Sequence, residues 1–110
     1  MEISHQTQKE TDIVQLRGEL DMFNSPELGT FLRGKIESGS KAVLVELENV
    51  TYLDSSGLGV LISAATRMMK ASGQFFLVRP SSQVRRLLEL TRLTAFFRIL
   101  NSRDEFLRAA

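Results

Sequence analysis

The chain reads as a single α/β domain, residues 1–110, built on a central mixed but mostly parallel β-sheet flanked by about four helices. Three observations predict this. "KAVLVELE", Lys41–Glu48, is apolar on both faces over Ala42–Val45, as a strand buried between layers is. "QFFLV", Gln74–Val78, is a second run of the same kind. The segment between them has helical periodicity, and strand, crossover helix and strand together make a right-handed βαβ unit with parallel strands.

The remaining elements follow in order. Glu2–Lys9 is polar and weakly extended, and "DIVQLRG", Asp12–Gly18, alternates as a strand does, so the pair predicts an N-terminal hairpin turning near Lys9–Thr11. "NSPELGTFLRGKIESG" is a helix by its start signals. Ser25 is the expected cap, Pro26 suits the first helical position, and Glu27 favours the positive end of the dipole. Leu28, Phe31, Leu32 and Ile36 then share one face, and Gly39 ends the helix. A second helix is expected from about Ser56 to Ser72, with at least one of Met68 and Met69 in the core. Pro80 stops the "QFFLV" strand, and Ser81 or Ser82 caps a helix carrying Val84, Leu87, Leu88 and Thr91. "AFFRIL" is expected as an edge strand, and "SRDEFLRAA" as a closing amphipathic helix started by Ser102.

Composition narrows the function classes. Hydrophobic residues make up 43% and charged residues 25% of the chain, enough for one ordinary core. The absence of cysteine excludes disulfides, zinc–thiolate sites and cysteine nucleophiles, and suits a cytoplasmic protein. "MEISHQTQKE" has neither the basic start nor the apolar core of a signal peptide, and no apolar run is long enough to span a bilayer. A net charge of +1 argues against a polyanionic partner. The seven arginines from Arg79 onward, against three acids, read as a solvated face because no aromatic-basic module accompanies them.

The stretch "VTYLDSSGLGVLISA", beginning at Val50, places Asp54, Ser55, Ser56 and Gly57 between an extended run and a helix. Four readings compete there. Plain capping explains one polar residue at roughly 1 kcal/mol. It leaves Gly57 and Gly59 unexplained, each costing a helix about 1 kcal/mol against alanine. A hydrolase needs a base, and the one histidine is His5, on the polar first strand; the glycine–x–serine–x–glycine elbow is also absent. Nucleotide binding at Gly57–x–Gly59 would want a third glycine where Ile62 stands, or a glycine–lysine–serine run that is missing. In the fourth reading a serine is itself a substrate. A hydroxyl at a helix entrance is accessible to a kinase, and Gly57 and Gly59 leave room for a partner to approach.

Four segments in order carry a family resemblance: "GELD" at Gly18–Asp21, the "SPEL" helix start, "VLVELENVTYLDSSGLGVLISA" and "VRRLLELTRL". Together they resemble the STAS domain, specifically the anti-sigma-factor antagonists, over nearly the whole chain. The resemblance implies a mixed sheet flanked by helices, no catalytic activity, no cofactor and no metal. It implies that the partner is an anti-sigma factor that is also a serine kinase of the histidine-kinase-like ATPase type, bound so as to release a sigma factor. It implies that the kinase phosphorylates Ser55, directly after the motif's aspartate, and that a PP2C-type phosphatase resets it. Asp54, Gly57 and Gly59 would then flank the phosphosite and Ser56 would help cap the helix. The partner surface would comprise Asp21, Met22, Phe23 and Asn24 with Ser55, Ser56 and Leu58. The same fold also serves as a scaffold, as in stressosome subunits or lipid-transport ATPase partners. One departure stands out: Arg92 occupies a position where the family usually carries glycine.

Overall fold

In the computed structural model, which describes residues 1–109, the extended runs become a five-stranded sheet. Strand β1 (Glu2–Gln8) turns through Lys9 and Glu10 into β2 (Thr11–Leu20) and pairs with it antiparallel. The chain continues as α1 (Ser25–Glu37), β3 (Ala42–Leu53), α2 (Ser55–Lys70), β4 (Gln74–Val78), α3 (Ser82–Leu90), β5 (Arg98–Leu100) and α4 (Asp104–Leu107). The order across the sheet is β1-β2-β3-β4-β5, and every pair after the first is parallel. This is the predicted mixed α/β fold.

Strand order equal to chain order has a structural consequence. Right-handed crossovers that always step in the same direction put their helices on one face of the sheet. Leu28 and Leu32 of α1, Leu61 and Met68 of α2, and Val84 and Leu88 of α3 accordingly share one core with Val14, Val43, Val45 and Leu77. The opposite face buries a smaller cluster, Ile13, Ala42, Leu44, Phe76 and Val78, beneath Phe106 and Leu107 of α4. There Arg103 reaches the sheet through two 2.8 Å bonds to the Glu46 carboxylate. That two-pronged contact, with further attraction from Asp104, raises the arginine's pKa despite partial burial. No helix among the described residues is long and apolar enough to cross a membrane.

Several boundaries differ from the sequence expectation. Strand β3 continues past Glu48 to Leu53 because Val50 and Leu53 are buried and β2 accompanies it, with register shifts between Gln15 and Arg17 and between Gly18 and Glu19. Helix α1 is capped at Asn24 with no side-chain bond, and Ser25, the expected cap, is instead its buried first residue. Ser81 does cap α3, accepting from the Val84 N–H at 3.3 Å while its own hydroxyl donates to the Val50 carbonyl at 2.6 Å. The edge strand is only Arg98–Leu100, Ala95–Phe97 being part of the preceding turn. The closing helix is a single turn with Arg103, and not Ser102, at its cap position. Ala110 lies outside the described residues. Met68 is fully buried and Met69 is exposed.

Helix α3 ends on a left-handed residue. The Arg92 N–H donates to the Glu89 carbonyl at 3.2 Å and the Leu93 N–H to that of Leu88 at 2.9 Å, with Arg92 at φ 60°. The position that the family usually gives to glycine therefore does need left-handed backbone. An arginine there carries a cost of about 1 kcal/mol. Arg92→Gly should stabilise the fold by about that amount, seen as a rise of several degrees in the thermal unfolding midpoint.

Near the amino end of β2 Asp12 is buried. Its Oδ1 accepts from His5 Nε2 at 2.7 Å and from the Thr7 hydroxyl at 2.8 Å. His5 also packs edge-on against Phe31 of α1, with ring centroids 5.4 Å apart. Burial alone would raise the Asp12 pKa. Hydrogen bonding from Ser40, His5 and Thr7, helped by attraction to His5, outweighs it and holds the carboxyl below its usual value. A depressed folded-state pKa means stability that is present above the unfolded value of about 3.9 and is lost as pH falls through the folded value. Unfolding midpoints measured from pH 7 down to pH 2 should therefore fall steeply in the acid range. Asp12→Asn should start lower at pH 7 and fall less steeply.

Candidate functional site

Neighbouring parallel strands deliver their carboxyl ends side by side, so the loop after β2 and the loop after β3 leave the sheet together. Leu20 and Leu53 are register partners, and the Asp54 N–H donates to the Leu20 carbonyl at 3.3 Å. Asp54 is the N-cap of α2, in an extended conformation. Its Oδ1 accepts from the Gly57 N–H at 3.0 Å, which satisfies one of the helix's free donors. Its Oδ2 accepts from the Met22 N–H, also at 3.0 Å. One carboxylate thus joins the start of α2 to the β2–α1 loop.

That loop is pinned from its other end as well. Asp21 Oδ1 accepts from the N–H groups of Phe23 at 3.0 Å and Asn24 at 3.1 Å, an Asx turn. The Asn24 amide donates to the Glu19 carbonyl at 2.8 Å. With the backbone held on both sides, the Met22 and Phe23 side chains point outward, 62% and 84% exposed. These are two of the largest apolar side chains left exposed among the described residues, and they stand beside a polar helix entrance. Ser55 and Ser56, the first residues of α2, are both exposed next to them.

The structure redistributes several expected roles. Ser56 is not the cap; Asp54 is, because it alone has the extended backbone that aims a side chain back at the helix N–H groups. Leu58 is buried in the main core and offers no side-chain contact to a partner. Gly57 is buried too. A Cβ there would stand 2.6 Å from Leu20 Cγ, 2.7 Å from Leu53 Cδ1 and 2.8 Å from the Leu20 carbonyl oxygen. The room it makes is internal, and lets α2 start against the ends of β2 and β3. Gly59 is the opposite case: it is exposed, and a Cβ there would meet nothing within 4 Å.

Sequence reasoning missed the second bond of Asp54, to Met22, because it joins residues far apart in the chain. The first bond was legible: aspartate ranks with serine as an N-cap, and Gly57 stands three residues on. His5 on β1 pairs with Val14 of β2 and bonds Asp12 on the same face of the sheet. Val14 precedes Leu20 on β2 by roughly 20 Å of extended chain, so His5 is no base for Ser55. Among the described residues no group of three His, Cys, Asp or Glu could hold a metal ion. A separate cleft of about 330 Å³ on the opposite sheet face contains Glu46 and Glu48, but both are paired, with Arg103 and Arg79. The site therefore presents two exposed hydroxyls, Ser55 and Ser56, beside the exposed Met22 and Phe23 side chains.

The two nearby glycines should respond in opposite directions. Gly57→Ala forces Leu20 and Leu53 to move and should lower stability by about 1–3 kcal/mol. Gly59→Ala fills open space with a better helix former and should raise it by up to about 1 kcal/mol. Urea unfolding of the two variants checks both signs.

The comparisons agree with this architecture. The STAS domain family profile matches residues 2–106. An anti-sigma-B factor antagonist of Staphylococcus aureus strain NCTC 8325 is 32% identical over 93 residues, spanning 84% of this chain and 86% of that one. An anti-sigma factor antagonist of Mycobacterium paratuberculosis superposes with a TM-score of 0.87 at 26% identity, covering 98% of this chain and 92% of that chain. The Bacillus cell fate determinant SpoIIAA, solved in its phosphorylated form, has the same fold at a TM-score of 0.79 and 20% identity, covering 99% of this chain and 100% of that chain.

Proposed function

We propose that this chain, which belongs to the STAS domain family, is an anti-sigma-factor antagonist whose binding is switched off by phosphorylation of Ser55. Its partner is an anti-sigma factor that is also a serine kinase with a histidine-kinase-like ATPase fold, and capture of that partner frees a sigma factor. A PP2C-type phosphatase removes the phosphate. The chain is the substrate in this cycle and performs no catalysis.

The observation that carries the reading is the position of Ser55, exposed in the first turn of α2 between the Asp54 bridge and the exposed Met22–Phe23 pair. In the modification step the Ser55 oxygen attacks the γ-phosphorus of the kinase's ATP. ADP leaves, and the hydroxyl proton passes to a base on the kinase. The phosphate adds about −1.5 to −2 charge beside the Asp54 carboxylate, which cannot turn away because both of its oxygens hold backbone N–H groups. The free N–H groups at the start of α2 tolerate that charge, so the fold survives. A partner packed over Met22 and Phe23 would have to desolvate a dianion, and the complex weakens without any refolding.

Incubation with the cognate kinase and ATP should add one phosphate, on Ser55, by intact mass and peptide mapping. Ser55→Ala should keep wild-type affinity and resist release by ATP, whereas Ser55→Asp should bind at least tenfold more weakly by calorimetry. A Ser55→Asp protein that binds as tightly as wild type overturns the switch.

A further inference from the structure

Helices α1 and α2 pack side by side, yet a groove of about 140 Å³ stays open between them, lined in part by Gly29, Arg33, Gly59, Val60, Ser63 and Arg67. Gly59, at its lining, stands one helical turn after Ser55 on α2. Ser56, Gly59, Val60, Ser63 and Arg67 recur along one stripe of α2, so a body seated on Ser55 continues directly into it. Glycine at either position weakens a helix, and the fold requires it at neither. A Cβ at Gly59 meets nothing within 4 Å, and one at Gly29 meets only the Val60 methyls, at 3.6 and 3.8 Å, an ordinary contact. The groove's charge is one-sided. Arg33 and Arg67 are exposed, no carboxylate lines the groove, and neither arginine is in an ion pair among the described residues.

We propose that this groove is the second half of the docking surface and seats an acidic helical segment of the kinase partner, its carboxylates paired with Arg33 and Arg67; this rests on the partner reading given above. A helix laid between two helices needs small residues beneath it if its backbone is to come close, and Gly29 and Gly59 supply them on the two facing sides. The arginines then fix its charge sign, speed its encounter and select against basic segments. The exposed Met22 and Phe23 form the apolar end of the same surface, their loop tied by Asp54 to the start of α2, where Ser55 is the first residue.

The test measures affinity for the kinase that modifies Ser55, by calorimetry, for the full chain and three variants. Gly59→Leu fills the groove with a good helix former in open space, so its melting midpoint should not fall while its affinity drops at least tenfold. Arg33→Glu combined with Arg67→Glu should lose at least tenfold. The neutral pair Arg33→Gln with Arg67→Gln should show a shallower loss of affinity with added salt than wild type. Affinities within twofold of wild type for Gly59→Leu and for the double glutamate variant overturn the groove proposal. In that event binding by wild type and its loss in Ser55→Asp still uphold the phosphoswitch. Absence of any wild-type binding overturns both.

Discussion

The Asp54 carboxylate is the contact on which the candidate functional surface depends. One oxygen completes the first turn of α2 and the other holds the Met22 N–H, so a single side chain sets the distance between the serine pair and the exposed apolar loop. Either bond by itself would be an ordinary cap or an ordinary loop contact, of about 1 kcal/mol. Together they make the helix entrance and the β2–α1 loop one rigid unit. The Asx turn at Asp21 then leaves Met22 and Phe23 nowhere to go except outward.

The bridge forms because of the sheet. Parallel pairing of β2 with β3 brings Leu20 beside Leu53, and the loops that follow emerge at the same edge. Gly57 lets α2 begin hard against those two leucines; a larger residue would lift the helix start away from the loop. The same topology places α1, α2 and α3 on one face, so that the sides of α1 and α2 meet and leave the groove lined by Gly29 and Gly59. The opposite face needs only a one-turn helix, held by Arg103 on Glu46, to cover a five-residue apolar cluster. The α4 cover and the helix entrance at Asp54 thus stand on different parts of the molecule.

Much of the fold was legible in the sequence because its signals are local. The doubly apolar runs Ala42–Val45 and Phe75–Val78, the helical period between them and the Ser81 cap each arise within a few residues. Errors clustered where a distant partner decides the outcome. β3 extends to Leu53 because β2 runs beside it, and "AFFRIL" shortens to Arg98–Leu100 because only three residues find a partner on β4. Asn24 replaces Ser25 as the cap of α1 because the loop is held by Asp21, which lies before the helix in sequence and outside its first turn.

For the site, the sequence by itself determined the ingredients: an acid, two hydroxyls and two glycines at the entrance of a helix, with no base, metal set or phosphate loop to act on them. It could not rank those residues, since aspartate and serine cap equally well and glycine permits close approach from inside or outside alike. Tertiary structure made the distinctions. It assigned the cap to Asp54, turned Gly57 and Leu58 inward, left Ser55 and Gly59 open, and brought Met22 and Phe23 alongside. The physical reason is that burial and backbone direction at this junction are set by Leu20 and the β2–α1 loop, which stand more than thirty residues earlier in the chain and meet Asp54 only when β2 and β3 pair.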